Sequence, residues 1–600
     1  MVKYVNVRYA FAMRIKTKWE LEKLFYTSLK DPRIARDVAK GDKAIDKFVA
    51  TYSKNKKHLR DPKALKKALD AYEELDLLCS PAPLYYAHYR KELNAKDTEA
   101  EAFLNKLSDH YTKRGNMLIF FTLELGKIPA ATQKKMLASK ELASFKYWLT
   151  KLFEAAKHNL TEPEEKILSL LSDVSGGRWV QAVDNILNTR TVVFKGKKMP
   201  LNEAAVNVSN LPKASRRALH KIVMEEYKSV SQMAESELNA LVTRKKITDE
   251  LRGFKEPYDA TILGYENDRK SVLRLINTVT KHFGIAKRFY ALKAKMMKEK
   301  RLTYADRSAP VGKVEKRVSF AQAATIVRDT FYNLHPRYAE TFERLLANGQ
   351  VDVYPKAGKT SGAYCSSGVD EPTMLLLNHV DNAKSLLTIA HEMGHAMHAE
   401  RAKTQHPLYQ GHTISVAEVA STFFEQAAFD ALFQKLSAKE KVVAMHDKIL
   451  GDVATVFRQI AFFNFEVDLH KGIREKGLLS KEEIAALLNK HTAAYMGSAV
   501  KLVPDDGYFF VTVIHFRRFF YVYSYAFGQL VSRALYERVK KDPKFIDKVD
   551  KFLCAGGSMS PEDIFALCGL DLYKPDVFLE GLRGIEKDIW ELEKAVAKRA

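Results

Sequence analysis

Cysteine is scarce in this 600-residue chain. There are four, Cys79, Cys365, Cys554 and Cys568, and no two are spaced as Cys-x-x-Cys. A disulfide framework and a zinc–thiolate centre are therefore excluded as organising features. Long apolar runs are also missing. A membrane-spanning helix needs about eighteen apolar residues, and the nearest approach, residues 509–526, is interrupted by His515, Arg517 and Arg518. Residues 1–9 lack the apolar core of a secretory signal, so the cytoplasm is the expected compartment. No low-complexity tract or fixed-period repeat occurs. Acidic residues are too few to balance the basic ones: 73 Asp and Glu against 97 Lys and Arg leave a formal charge of +24. The lysines are spread along the whole length and no nucleic-acid motif accompanies them. The excess reads as solvated surface, and neither a nucleic-acid nor a membrane partner is expected.

What is present belongs to a folded protein. Hydrophobic residues make up 46% of the chain, and its length calls for two or more lobes. Most of it has helical periodicity. From 19 to 187 apolar residues recur at three and four, with breaks near 80–83 and 126–129. The β-branched run and Gly196 within 190–200 predict a short strand and turn. A domain boundary is placed there, dividing an N-terminal helical domain, 1–190, from a second domain, 191–600. Helices resume from 202 to 299, and a second break covers 302–318. Residues 356–362 read as a loop and 374–378 as an apolar strand, followed by Asp381 and Asn382 as helix caps. One small sheet is thus expected against a helix in a mainly α-helical protein. A strand there can be plain core, or can pair with an extended peptide through main-chain hydrogen bonds.

The helix after those caps carries His391-Glu392-Met393-Gly394-His395. Positions four apart share one helical face, so His391 and His395 can aim two imidazoles at one point. Glu392 stands beside the first of them. Two nitrogen donors and an adjacent carboxylate form the H-E-x-x-H pattern of metal-dependent peptidases. A buried helix with one solvated histidine would carry the same letters, so a third ligand is required. The next helix, around 415–427, offers Glu418 and Glu425, seven apart and on one face. Glu418 also fits a capping box from Ser415, Glu425 also fits an exposed helical glutamate, and Asp430 is a more remote donor. Spacing does not choose among them.

His391-Glu392-Met393-Gly394-His395 followed by Ala417-Glu418-Val419-Ala420-Ser421-Thr422-Phe423-Phe424-Glu425 resembles the thimet oligopeptidase family, most closely its oligoendopeptidase F branch. Lys359-Thr360-Ser361-Gly362-Ala363-Tyr364-Cys365 is similar to that family's glycine loop. The stretch from His515 to Gly528 is similar to its His-and-Tyr substrate segment, and Ala555-Gly556-Gly557-Ser558 to a terminal turn. The likeness is best from about 190 to 582. It implies a zincin-like, mainly helical fold of two lobes with a deep substrate channel. It implies one zinc held by His391, His395 and Glu418, with Glu425 behind the histidines. It also implies Glu392, His515 and Tyr525 as catalytic groups and Gly362 and Tyr523 as substrate-binding ones. Arg517 and Arg518 depart from the family, where aromatic or neutral residues are commoner.

The activity expected from that resemblance is a zinc metalloendopeptidase that hydrolyses internal bonds of short oligopeptides, with a metal-activated water and Glu392 as general base. The residues keep other classes open. A zinc exopeptidase shares the metal chemistry, and Arg517 or Arg518 could capture a substrate carboxylate. A basic nucleic-acid-binding protein with a vestigial metal site is a second rival, and a peptide-binding protein without catalysis a third. Manganese or cobalt suits the same donor types.

Overall fold

The computed structural model describes residues 14–598; residues 1–9, read above for a targeting signal, lie outside them. The described chain is mainly helical, with seven short strands in three small sheets. It divides into two compact units, and each is assembled from three separate stretches of sequence.

The first unit comprises Met1–Lys157, Lys316–Gln434 and Leu535–Gly569. Its early helices, Pro32–Tyr52 and Pro62–Leu78, each start with a proline behind an aspartate cap. Asp31 accepts the Arg33 N–H and Asp61 the Ala64 N–H, so local sequence satisfies helix-end donors. These helices bury Ile45, Phe48, Leu65 and Leu69 around Phe121. A second core packs Trp19, Phe25 and Tyr89 onto Met374 and Leu376. The Trp19 indole N–H lies within hydrogen-bonding distance of two carbonyls, 3.1 Å from that of Gln350 and 2.9 Å from that of Leu375. That satisfies the polar edge of a buried ring and ties the early chain to the sheet.

The sheet itself has three strands in the order Val351–Asp352, Met374–Leu376, Tyr364–Ser366. The strand expected at 374–378 forms as Met374–Leu376, fully buried, with both edges taken: parallel to the first strand and antiparallel to the last. It therefore has no free edge for a peptide. The sheet's outer strand beside the helix Ala383–Ala402 is Tyr364–Ser366, an edge the apolar pattern did not single out. Lys359 anchors the loop before it, its buried ammonium 2.7 Å from Asp352 and 2.9 Å from the Tyr354 carbonyl.

The second unit comprises His158–Glu315, Lys435–Ala534 and Leu570–Ala600. Its spine is the helix Lys213–Leu251, which buries Leu219, Val223, Tyr227, Val230, Ala234 and Leu238 at three-and-four spacing. The strand and turn expected at 190–200 form a hairpin, Thr191–Phe194 against Lys197–Pro200, reversed at Lys195 and Gly196. The second break contains Leu302–Thr303, which pairs in parallel with Val500–Lys501. All four cysteines are free thiols. Among the described residues no helix is long and apolar enough to cross a membrane.

Candidate active site

Two helices of the first unit build the site. Asn382 caps the first, Ala383–Ala402, by accepting the Ser385 N–H at 2.8 Å. The second is Ile414–Gln434. They cross where Gly394 meets the backbone of Ala420 and Ser421. A Cβ on Gly394 would lie 2.7 Å from Ser421 Cα and 3.0 Å from the Ala420 carbonyl oxygen. Only glycine permits that approach, and it brings the histidines of one helix opposite the glutamates of the other.

One ligand atom from each of His391, His395 and Glu418 falls within 4.8 Å of the others. A tetrahedral zinc with bonds near 2.0–2.2 Å needs donors about 3.3 Å apart, so a small inward movement closes this set. The two imidazoles stand at 83° with centroids 5.1 Å apart. His391 Nδ1 is hydrogen-bonded to Glu425 at 2.9 Å, while its Nε2 faces Glu418 at 3.7 Å. Glu425 therefore occupies one ring nitrogen and leaves the other toward the cluster, as an orienting carboxylate does for a metal-bound histidine. Two imidazole nitrogens and a carboxylate are donors that zinc accepts, and the residues present fit it. Ser415 is itself inside the helix, and the Glu418 carboxylate is 3.2 Å from the Ser421 hydroxyl. Asp430 accepts the Tyr536 hydroxyl at 2.9 Å.

The electrostatics suit a cation. Burial opposes charge on His391, but Glu425, Glu392 and Glu418 outweigh it and raise the imidazole to about 9. Glu392 is raised to about 7, by burial first and by Glu418 and Glu425, against the pull of His391 and of the Cys365 backbone N–H. His395 is pushed down to about 3 by burial, His391 and His412. A cleft of about 530 Å³ opens on this cluster, lined by Gly362, Ala363, Asn378, His391, Glu392 and Glu425 among others. Gly362, with φ of +85°, sits on its wall, and its carbonyl accepts from the Asn378 amide at 2.7 Å. The Cys365 N–H that reaches Glu392 belongs to the outer strand, a contact no sequence pattern announced.

The His-and-Tyr segment lies in the second unit and forms its own cluster. His515 is in the short turn Ile514–Arg517, and its Nδ1 is hydrogen-bonded to the Tyr521 hydroxyl at 2.5 Å. The Tyr525 ring is 5.8 Å from those of both His515 and Tyr521. Burial, with Arg458 and Arg518, lowers His515 to about 4, so it is neutral at pH 7. Tyr523, expected to face substrate, is fully buried, with its hydroxyl 3.1 Å from Asn267. Arg517, weighed as a carboxylate trap, is buried and already engaged. It forms a two-pronged pair with Glu237, 2.6 Å at its shorter contact, and donates to the carbonyls of Phe510, Val511 and Val513. Arg518 is exposed.

A His-Glu-x-x-His helix crossing a glutamate-bearing helix in a mainly helical fold has the architecture of a metallopeptidase. The comparisons with known proteins narrow this class. The sequence model of peptidase family M3 matches residues 209–584, and that of oligopeptidase F matches 124–188. The chain belongs to peptidase family M3, and it is a peptidase of the endopeptidase kind. It is 26% identical to the group B oligopeptidase PepB of Streptococcus agalactiae, over 97% of this chain and 98% of that protein. It is 25% identical to the oligopeptidase PepF of Bacillus subtilis, over 86% of this chain and 78% of that one. Among solved structures, the oligoendopeptidase F of Enterococcus faecium superposes with a TM-score of 0.68 at 18% identity, covering 94% of this chain and 99% of its own. A Chlamydophila abortus protein described as a peptidase reaches 0.85 at 21% identity, covering 98% and 99%.

Proposed function

We propose that this peptidase is a zinc-dependent endopeptidase that cuts internal bonds of short oligopeptides. The observation that carries the reading is the convergence within 4.8 Å of His391 and His395, on the helix that also bears Glu392, with Glu418 from the helix Ile414–Gln434. In this reading His391, His395 and Glu418 hold the metal, and Glu425 fixes the His391 ring. Bound zinc supplies Lewis acidity, which acidifies water and polarises a carbonyl. Glu392 takes a proton from the attacking water and delivers it to the leaving amine. By the family resemblance, His515 and Tyr525 are assigned as hydrogen-bond donors to substrate, and Tyr521 holds His515 in place. Gly362 and the outer strand Tyr364–Ser366 bind the peptide backbone, which favours broad sequence tolerance.

Oligopeptides as the substrate class are supported by the names of the relatives, oligopeptidases PepB and PepF. A division of the sequence near 190 is supported by the two family models, one ending at 188 and the other starting at 209, although one compact unit contains His158–Glu315 and so runs across it. Four free thiols favour a reducing, cytoplasmic setting. Neither a nucleic acid nor a membrane enters this reading. The exopeptidase alternative loses Arg517, whose guanidinium is committed to Glu237. Peptides of about ten residues, acetylated at one end and amidated at the other, separate the two activities by removing both terminal charges. Internal cleavage at an undiminished rate is the expected result. A rate that falls when either end is blocked would favour terminal capture.

A further inference from the structure

Resting on that reading, one device in the second unit remains unexplained by it. Phe519 and Phe520 are consecutive and both left-handed, with φ of 50° and 60°. Bulky L-residues rarely adopt this conformation once, still less twice in a row. Something outside the turn must impose it, and the surroundings are specific. The peptide group joining the two phenylalanines is held at both poles. Its carbonyl accepts from the Thr261 hydroxyl at 3.1 Å, and its N–H donates to the Glu466 carboxyl at 2.9 Å.

Glu466 lies on the helix Arg458–Lys476 and is fully buried, and its second oxygen has no hydrogen-bond partner. A carboxyl so placed is costly, and plain packing would be served better by an apolar side chain. Rings close over the clamp. His470, one turn along the same helix, packs edge-on to Phe519 at 5.0 Å and against Phe520 at 4.7 Å. Phe463 meets Phe520 at 5.3 Å. Burial raises the Glu466 carboxyl to about 8, against the Phe520 N–H and Lys245, so it is neutral at pH 7 and leaves no unpaired charge.

The position of the turn gives it a use. Upstream, the His515 side is fixed by Arg517, gripped by Glu237 and three carbonyls. Downstream, Tyr521 follows the turn directly and closes on His515 Nδ1 at 2.5 Å. The orientation of the 519–520 peptide plane thus decides whether Tyr521 reaches His515. We propose that Glu466, seconded by Thr261, is a positioning residue: it locks the left-handed Phe519–Phe520 turn and so sets His515 and the adjoining tyrosines for substrate.

Glycine rescue tests this, because glycine adopts positive φ without a clamp. Steady-state rates on an internally quenched peptide, melting temperature and zinc content are measured together. Glu466→Gln keeps an acceptor and should hold kcat within about threefold of wild type. Glu466→Leu should lower kcat roughly tenfold or more, with KM within about twofold and zinc content unchanged. Adding Phe519→Gly to Glu466→Leu should restore most of the loss, since Phe519 is only part-buried. If Glu466→Leu does not fold, Thr261→Val carries the same test: a smaller fall in kcat, again recovered by Phe519→Gly. Unchanged kcat in the folded clamp variant, or a loss that glycine does not recover, overturns the proposal. His515→Ala separates the two levels. If it is inactive while the clamp variant is fully active, only the positioning role fails. If His515→Ala keeps wild-type kcat, the functional reading of the segment and this inference fail together.

Discussion

Glu425 shows how a single residue can matter without touching substrate. It holds His391 Nδ1 at 2.9 Å and leaves Nε2 toward Glu418. Glu425→Ala should weaken zinc binding by about 10–100-fold. Competition with a chelating dye reads this directly, and an unchanged affinity would remove Glu425 from the metal site. A second residue-scale expectation concerns pH. Folding raises the Glu466 carboxyl from its ordinary value of 4.5 to about 8. Between those values the folded state keeps a proton that the unfolded chain releases, so stability falls as pH rises from about 5 to 8. Glu466→Gln removes that term. Its melting temperature relative to wild type should be higher at pH 8 than at pH 5, and an equal difference at both would contradict the burial account. Helical periodicity was enough to pair His391 with His395 four residues apart and to put Glu418 and Glu425 on one face of the following helix, but the choice of Glu418 came only from the family resemblance. Residue roles were not legible around Tyr521, Tyr523 and Tyr525. Two left-handed phenylalanines precede them, and a helix then starts at Tyr523, so their alternation in sequence says nothing about which one pairs with His515.

At the scale of elements, the crossing of the two site helices depends on one missing methyl. A Cβ at position 394 would strike the Ser421 backbone at 2.7 Å, and backbone cannot swing aside. Gly394→Ala should force the helices apart, destabilising the protein by about 1–3 kcal/mol and lowering zinc affinity with it. Wild-type melting temperature and zinc affinity in that variant would mean the helices tolerate a wider spacing. The helices themselves, the hairpin at 190–200 and the strand near 374 could be read from periodicity, β-branched runs and caps. The order of strands could not. An apolar triplet such as Met374–Leu376 is written the same way whether it is central or at an edge, and pairing partners far apart in sequence decide which. The outer strand, Tyr364–Ser366, is short and half-buried, so it lacked an apolar signature.

For the whole molecule, sequence order and compactness diverge. Each unit draws on three stretches of chain, and a linear pass over composition sees none of these returns. His391, His395, Glu418 and Gly362 belong to the first unit, and His515, Tyr521 and Tyr525 to the second. The mainly helical class was legible because periodicity is a local property. The assignment of residues to units was not, since it depends on long-range packing. The resemblance carried by the two site helices supplied what periodicity lacked, and the match of family M3 over residues 209–584 agrees with it.

The central claim is that His391, His395 and Glu418 hold zinc and that Glu392 moves the proton. The most direct measurement compares wild type with Glu392→Gln, reading bound zinc by elemental analysis and cleavage of mixed peptides by mass spectrometry. The account predicts one zinc per chain in both proteins, internal cuts by the wild type, and a loss of at least about a hundredfold in the variant. Zinc-loaded Glu392→Gln that still cuts at the wild-type rate, or a wild type that cuts without any bound metal, would contradict it.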